Sequence, residues 1–108
     1  MNQQLIVTTT DSVPGREVAT ILGVARGSTV RSRHIGRDIT AVFKNIVGGE
    51  IEEYTQLQAD AREQALQRLE ADAKRLGADA VVTMRFETAM VANGAAELLA
   101  YGTAVELR

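Results

Sequence analysis

No cysteine stands anywhere in the chain, which removes disulfides, thiolate metal sites and thiol redox chemistry together. Aromatic side chains are nearly missing as well: Phe43, Tyr54, Phe86 and Tyr101 are all there are, with no tryptophan. The apolar content is Ala, Val, Leu and Ile instead, which pack closely but offer little for stacking bases or sugars. No apolar run is long enough to cross a bilayer, and no charged start followed by an apolar stretch marks a signal peptide. A cytoplasmic protein without membrane association is expected. The formal net charge of −2 gives no global field to attract nucleic acid.

What is present describes one domain over residues 1–108, with 45% apolar and 24% charged residues and no polar linker to divide it. Gln4 to Thr10 is short and β-branched and predicts a strand ending before Asp11-Ser12 and Pro14-Gly15. Arg16 to Arg26 alternates, with Val18, Thr20, Leu22 and Val24 on one side and Ala19, Ile21, Gly23 and Ala25 on the other. Both sides are largely apolar, as in a strand covered front and back. Gly23 and Gly27 are expected to mark bulges or close backbone approach. Asp38 is a good N-cap for a short helix carrying Ile39, Val42, Phe43, Ile46 and Val47 at helical spacing, and Gly48 should end it.

The clearest element is a long helix from Ile51 to Leu76. Ile51, Tyr54, Leu57, Ala61, Ala65, Leu69, Ala73 and Leu76 form one apolar stripe. Glu50, Glu52 and Glu53 at its start and Lys74 and Arg75 at its end complement the helix dipole, and Gly77 supplies the left-handed terminator. Alternation returns over Ala78 to Val91, placing Ala80, Val82, Met84, Phe86 and Met90 toward the core and Val81, Thr83, Arg85 and Glu87 away from it. Asn93-Gly94 predicts a hairpin. Glu97 to Leu107 then sets Leu98, Ala100, Gly102 and Ala104 against Leu99, Tyr101, Val105 and Leu107.

The order is β-β-α-α-β-β, an α+β fold in which one short and one long helix pack on one face of a small antiparallel sheet. The opposite face would carry Leu99, Tyr101, Val105, Leu107, Ile21 and Val81, and another copy of the chain is expected to cover it.

The segments "GVARGSTVRSRHIGRDI", "NIVGGEIEEY", "RLGADAVV" and "YGTAV", in that order and spacing, resemble the small bacterial YbjQ-like family, often labelled "putative heavy-metal-binding". The resemblance runs from about Gly23 to the C-terminus, with the first strand pair plausibly aligned. It implies an α+β subunit in a ring-shaped homo-oligomer, a pentamer, and implies no reaction. The family carries Asn where this chain has His34, so no metal role for that histidine follows from the resemblance.

Candidate sites come from residue chemistry. Gly48-Gly49 follows a predicted helix and precedes three carboxylates, Glu50, Glu52 and Glu53, which would repel a phosphate; the pair reads as a hinge between helices. His34 with Asp38 is the one metal-ligand pairing, and a symmetric ring would have to pool one His34 per subunit to fill a coordination sphere; the alternative is a loop histidine in water or at a subunit contact. Arg31, Arg33 and Arg37 suit a small anion, or the acidic helix of a neighbouring subunit. That second option follows from charge placement: Arg26 to Lys44 holds five bases and one acid, while Glu50 to Leu76 holds seven acids and four bases. Met84 and Met90 read as packing residues, and no nucleophile–base–acid set is present. A non-enzymatic homo-oligomer holding a small ligand or anion between subunits is expected, with no cofactor; a metal ion is the alternative, and an enzyme of undefined reaction the third.

Overall fold

The computed structural model describes residues 4–31, 52–92 and 95–108. Strand β1 is Ile6–Val7, β2 is Val18–Arg31, helix α1 is Glu52–Arg75, β3 is Ala80–Ala92 and β4 is Ala95–Leu107. The strands form one sheet in the order β1-β3-β4-β2. The short helix expected over Asp38–Val47 lies outside the described residues, as do Asn93-Gly94; Ala92 pairs with Ala95 on either side of that dipeptide. Among the described residues there is one helix, where two were expected.

The sheet is mixed rather than antiparallel. β4 runs antiparallel to both β2 and β3, but β1 lies parallel to β3, Ile6 beside Ala80 and Val7 beside Val81. Pro14-Gly15 does make a tight turn, closed by the Val13–Arg16 bridge, with Gly15 at φ 78°. The turn is local, however, and does not pair β1 with β2. Backbone hydrogen bonds from Thr8 N to Val81 O, Met84 N to Thr8 O and Thr83 N to Thr10 O hold the chain along β3 instead. The segment then crosses to the far edge, where Glu17 and Arg108 exchange two backbone hydrogen bonds. β1 is accordingly two residues long, and β2 extends five residues beyond the expected Arg26.

Helix α1 begins and ends within one residue of its expected bounds, because a 3.6-residue stripe and a glycine terminator are both strong signals. Ala61, Ala65, Leu69 and Ala73 of that stripe are buried. Gly77 adopts φ 82°, Gly77 N donates to Lys74 O and Ala78 N donates to Ala73 O, the paired bonds of a Schellman ending. The helix lies over β2 and β4, and its small residues bring the backbones together. At Gly27 a β-carbon would overlap Leu69 N, Ala65 O and Arg68 C of the helix. Ala25, Val81, Ala100 and Ala104 complete this core around Leu69.

Register breaks at four places in the sheet, two of which set the side-chain parity around the core. Register shifts between Ile21 and Gly23, where φ is 133°, so Ile21 and Val24 stand on the same face, away from the helix, while Leu22 packs toward it. A second shift between Val82 and Arg85 centres on Thr83, a β-branched residue at φ 54°. Val81, expected on the outer face, therefore joins the helix-side core, Ala80 and Val82 turn outward, and Met84 reaches the helix side three residues after Val81. Gly102 sits opposite this bulge, where a β-carbon would meet Val81 Cγ1 at 2.6 Å. On the outer face, Ala80, Val82, Val105 and Leu107 make a second cluster, covered at one end by Ile6 and Val13. Met90 is 71% exposed rather than packed.

Candidate functional site

The residues singled out by chemistry do not come together among the described residues. Arg31 closes β2, and Arg33, His34, Arg37 and Asp38 lie outside the described residues, as do Gly48 and Gly49. Among the described residues, no group of three or more His, Cys, Asp or Glu is placed to hold a metal ion.

What the fold assembles is an open sheet face and its edge. Cross-strand register places Arg26, Tyr101 and Arg85 in one row, and Ser28, Leu99 and Glu87 in the next. Residues directly opposite share a face, and alternation puts these rows away from α1, since Ala25, Gly27 and Thr29 face the helix. Tyr101 and Glu87 lie 3.4 Å apart, the phenol donating to the carboxylate. One guanidinium nitrogen of Arg85 donates to the carbonyls of Thr9 (2.9 Å) and Met84 (2.8 Å), tying the threonine-rich turn to the strained bulge at Thr83. In that turn the Thr8 and Thr10 hydroxyls bond at 2.8 Å and Thr10 Oγ1 donates to Ser12 O at 2.7 Å. Arg26 and Arg85 thus share the outer face, one on each side of Tyr101, while the hydroxyls lie beside β3 on the side of the sheet away from Arg26; guanidinium groups are the donors a small anion uses.

The outer edge of β2 is guarded at its middle by helix side chains. The Arg26 N–H donates to an Asp72 carboxylate oxygen at 3.0 Å, Arg68 donates to the Ser28 carbonyl, and the buried Thr29 hydroxyl donates to Ala61 O at 3.2 Å. Asp72 also accepts from Arg75 at 2.8 Å. The Arg75 guanidinium, and then the Arg26 N–H, hold its carboxyl below the ordinary value of 3.8, against the opposing effect of burial. The sign is that of a depressed acid: the stabilisation is complete above the ordinary value and is lost as pH falls through the lower folded value. Asp72→Ala should therefore cost about 1 kcal/mol at pH 7, the worth of one ordinary hydrogen bond, because solvent screens the added charge at this position. The deficit relative to wild type should shrink in urea melts taken below about pH 4. A deficit unchanged at low pH would mean that the carboxylate charge contributes nothing.

One helix on a four-stranded mixed sheet, with an exposed polar face and a partly guarded edge, defines a small α+β protein of a single sheet layer. The chain belongs to the YbjQ family: the family model described as "Putative heavy-metal-binding" matches residues 5–108. It is 63% identical over 108 residues, covering all of both chains, to a UPF0145 protein of Archaeoglobus fulgidus. Identity to a UPF0145 protein of Thermotoga maritima is 52% over 103 residues, covering 95% of this chain and 97% of the other. Such relatives come from archaea as well as bacteria. A crystal structure of a protein of unknown function from Pediococcus pentosaceus, of the DUF74 family, shares the fold with a TM-score of 0.62 at 18% identity, covering 96% of this chain and 98% of that one. Among the described residues no helix is long and apolar enough to cross a membrane.

Proposed function

We propose that this chain is a non-enzymatic cytoplasmic protein that works as a ring-shaped homo-oligomer, a pentamer, and holds a small ligand or anion between its subunits. The observation that carries this reading is surface left uncovered. Ile21 and Val24 are 69% and 61% exposed on the outer face, and Val18, Val30, Phe86 and Met90 are exposed as well, apolar surface of the kind that marks an interaction site. The anion reading is supported by Arg26 and Arg85 on the same face, with Arg31, Arg33 and Arg37 adding positive charge along the chain.

Native mass measurement tests the reading. A multiple of 11.6 kDa at low micromolar concentration is expected; a single-chain mass would end it.

The family description favours a second reading, metal binding, for which this chain's own residues, and not the family pattern, offer His34 and Asp38 pooled across subunits. His34→Ala should then lower the metal carried by the purified assembly at least severalfold, measured by elemental analysis. Equal metal content in the two proteins would dispose of that reading.

A further inference from the structure

Residues 8–16, between β1 and β2, run beside β3 and then cross one end of the outer face, exposed except at Thr8 and Val13. Val13 packs against the cluster that holds Val82, Val105 and Leu107. The fastening to β3 is irregular. Thr8 N donates to Val81 O, so in a regular parallel ladder the Thr8 carbonyl would accept from Thr83. It accepts from Met84 instead, and Thr83 N donates to Thr10 O. One residue has been inserted into β3, and two successive amides, which point to opposite edges of a regular strand, both turn toward residues 8–16. The insertion holds Thr83 at φ 54°, a conformation that β-branched residues rarely adopt. Arg85 closes the arrangement, since one guanidinium nitrogen donates both to Thr9 O and to Met84 O.

We infer that residues 8–16 are a strap that lifts as one unit, latched by Arg85, and that the Thr83 bulge is kept only while the strap is down. Strained backbone persists where the surrounding structure over-determines it. Here the strap does so: without Thr8 O and Thr10 O, nothing turns the Met84 and Thr83 amides the same way. Lifting therefore releases the strain at Thr83, which lowers its cost relative to unfolding of the core. Segments with few buried apolar contacts and exposed backbone bonds open first. The strap half-buries one apolar side chain, Val13, whereas Leu69 is fully buried. Lifting bares Val82, Val105 and Leu107 together with two amides of β3, an apolar and hydrogen-bonding surface that the closed fold hides. The device is independent of the homo-oligomer reading, since every residue in it belongs to one chain.

Residue-resolved hydrogen exchange on the full chain tests this, in wild type, Arg85→Gln and Thr83→Asn at one protein concentration. In wild type the Thr8, Thr83 and Met84 amides should share one protection, at least about tenfold weaker than that of the Leu69 amide. Arg85→Gln should speed all three by about tenfold and leave Leu69 unchanged. Thr83→Asn should slow them severalfold, because asparagine tolerates the left-handed region that threonine resists. The two variants thus move the same amides in opposite directions, which a general loss of stability cannot do. Wild-type protection of the three equal to that of Leu69, or widely different among them, overturns the strap as a unit. Unchanged rates in Arg85→Gln, or an equal acceleration at Leu69, overturn the latch. A Thr83→Asn variant that exchanges as fast as wild type or faster overturns the role of strain. The wild-type comparison decides the matter by itself should either variant fail to fold.

Discussion

Gly27→Ala is expected to destabilise the protein by about 3 kcal/mol, the upper end of the usual cost of overpacking. The added methyl meets Leu69 N, Ala65 O and Arg68 C, all of them helix backbone. No flexible side chain is available to rotate aside, so α1 must lift from the sheet along its buried alanines. Lifting also strains the Thr29 bond to Ala61 and the Arg68 bond to Ser28, which span the same gap. Urea unfolding at a fixed protein concentration measures the effect, since any binding to the native state shifts apparent stability by mass action. Against a total of about 5–15 kcal/mol for a domain, the midpoint should fall visibly. A midpoint equal to wild type would show that the helix–sheet gap is wider than described.

Leu69→Ala should cost about 4 kcal/mol, within the range of about 2–5 for such truncations. Leu69 is fully buried and is among the largest side chains in the structure that are. Its neighbours Ala25, Ala65, Ala73, Ala100 and Ala104 are short and have no atoms to swing into the space. Of the fully buried neighbours only Val81 has bulk, and it is held against Gly102; Leu22, Leu66, Leu76 and Met84 pack at the margin of the cluster. The cavity should therefore persist rather than collapse, which puts the loss in the upper half of the range. Thermal unfolding by circular dichroism checks it, and a loss below about 1 kcal/mol would mean that the core repacks freely.

Legibility in the sequence followed the reach of each signal. The stripe Ala61, Ala65, Leu69 and Ala73 needs only local periodicity, and it was placed correctly, as was the termination at Gly77. Gly23 and Gly27 were assigned to a bulge and a close approach, and each is one of these. Leu98, Ala100, Gly102 and Ala104 do lie opposite Leu99, Tyr101, Val105 and Leu107, because β4 has no bulge within that stretch against β2. β3 is different. Thr83 is a poor residue for φ 54°, so nothing in its type announces the bulge that moves Val81 to the helix side. The parallel partner of β1 was also hidden, since Pro14-Gly15 specifies a turn but not the strand it serves.

The candidate site was less legible still. Arg31, Arg33, Arg37, His34 and Asp38 were chosen for their chemistry alone. The row of Arg26, Tyr101 and Arg85, and the guarding of β2 by Asp72 and Arg68, depend on registers between segments far apart in the chain, where periodicity is silent.

The strand order has a consequence for how the molecule comes into being. β3 and β4 are sequence neighbours and can zip together at once around Ala92 and Ala95. β2 must wait, because Val18 pairs with Leu107, the final residue of the last strand. On the ribosome, β2 emerges well before β4 and has no sheet partner until β4 has been made. Contacts so distant in sequence make for slow closure, and through that interval the bare valines and isoleucine of β2 are exposed to every other nascent chain nearby.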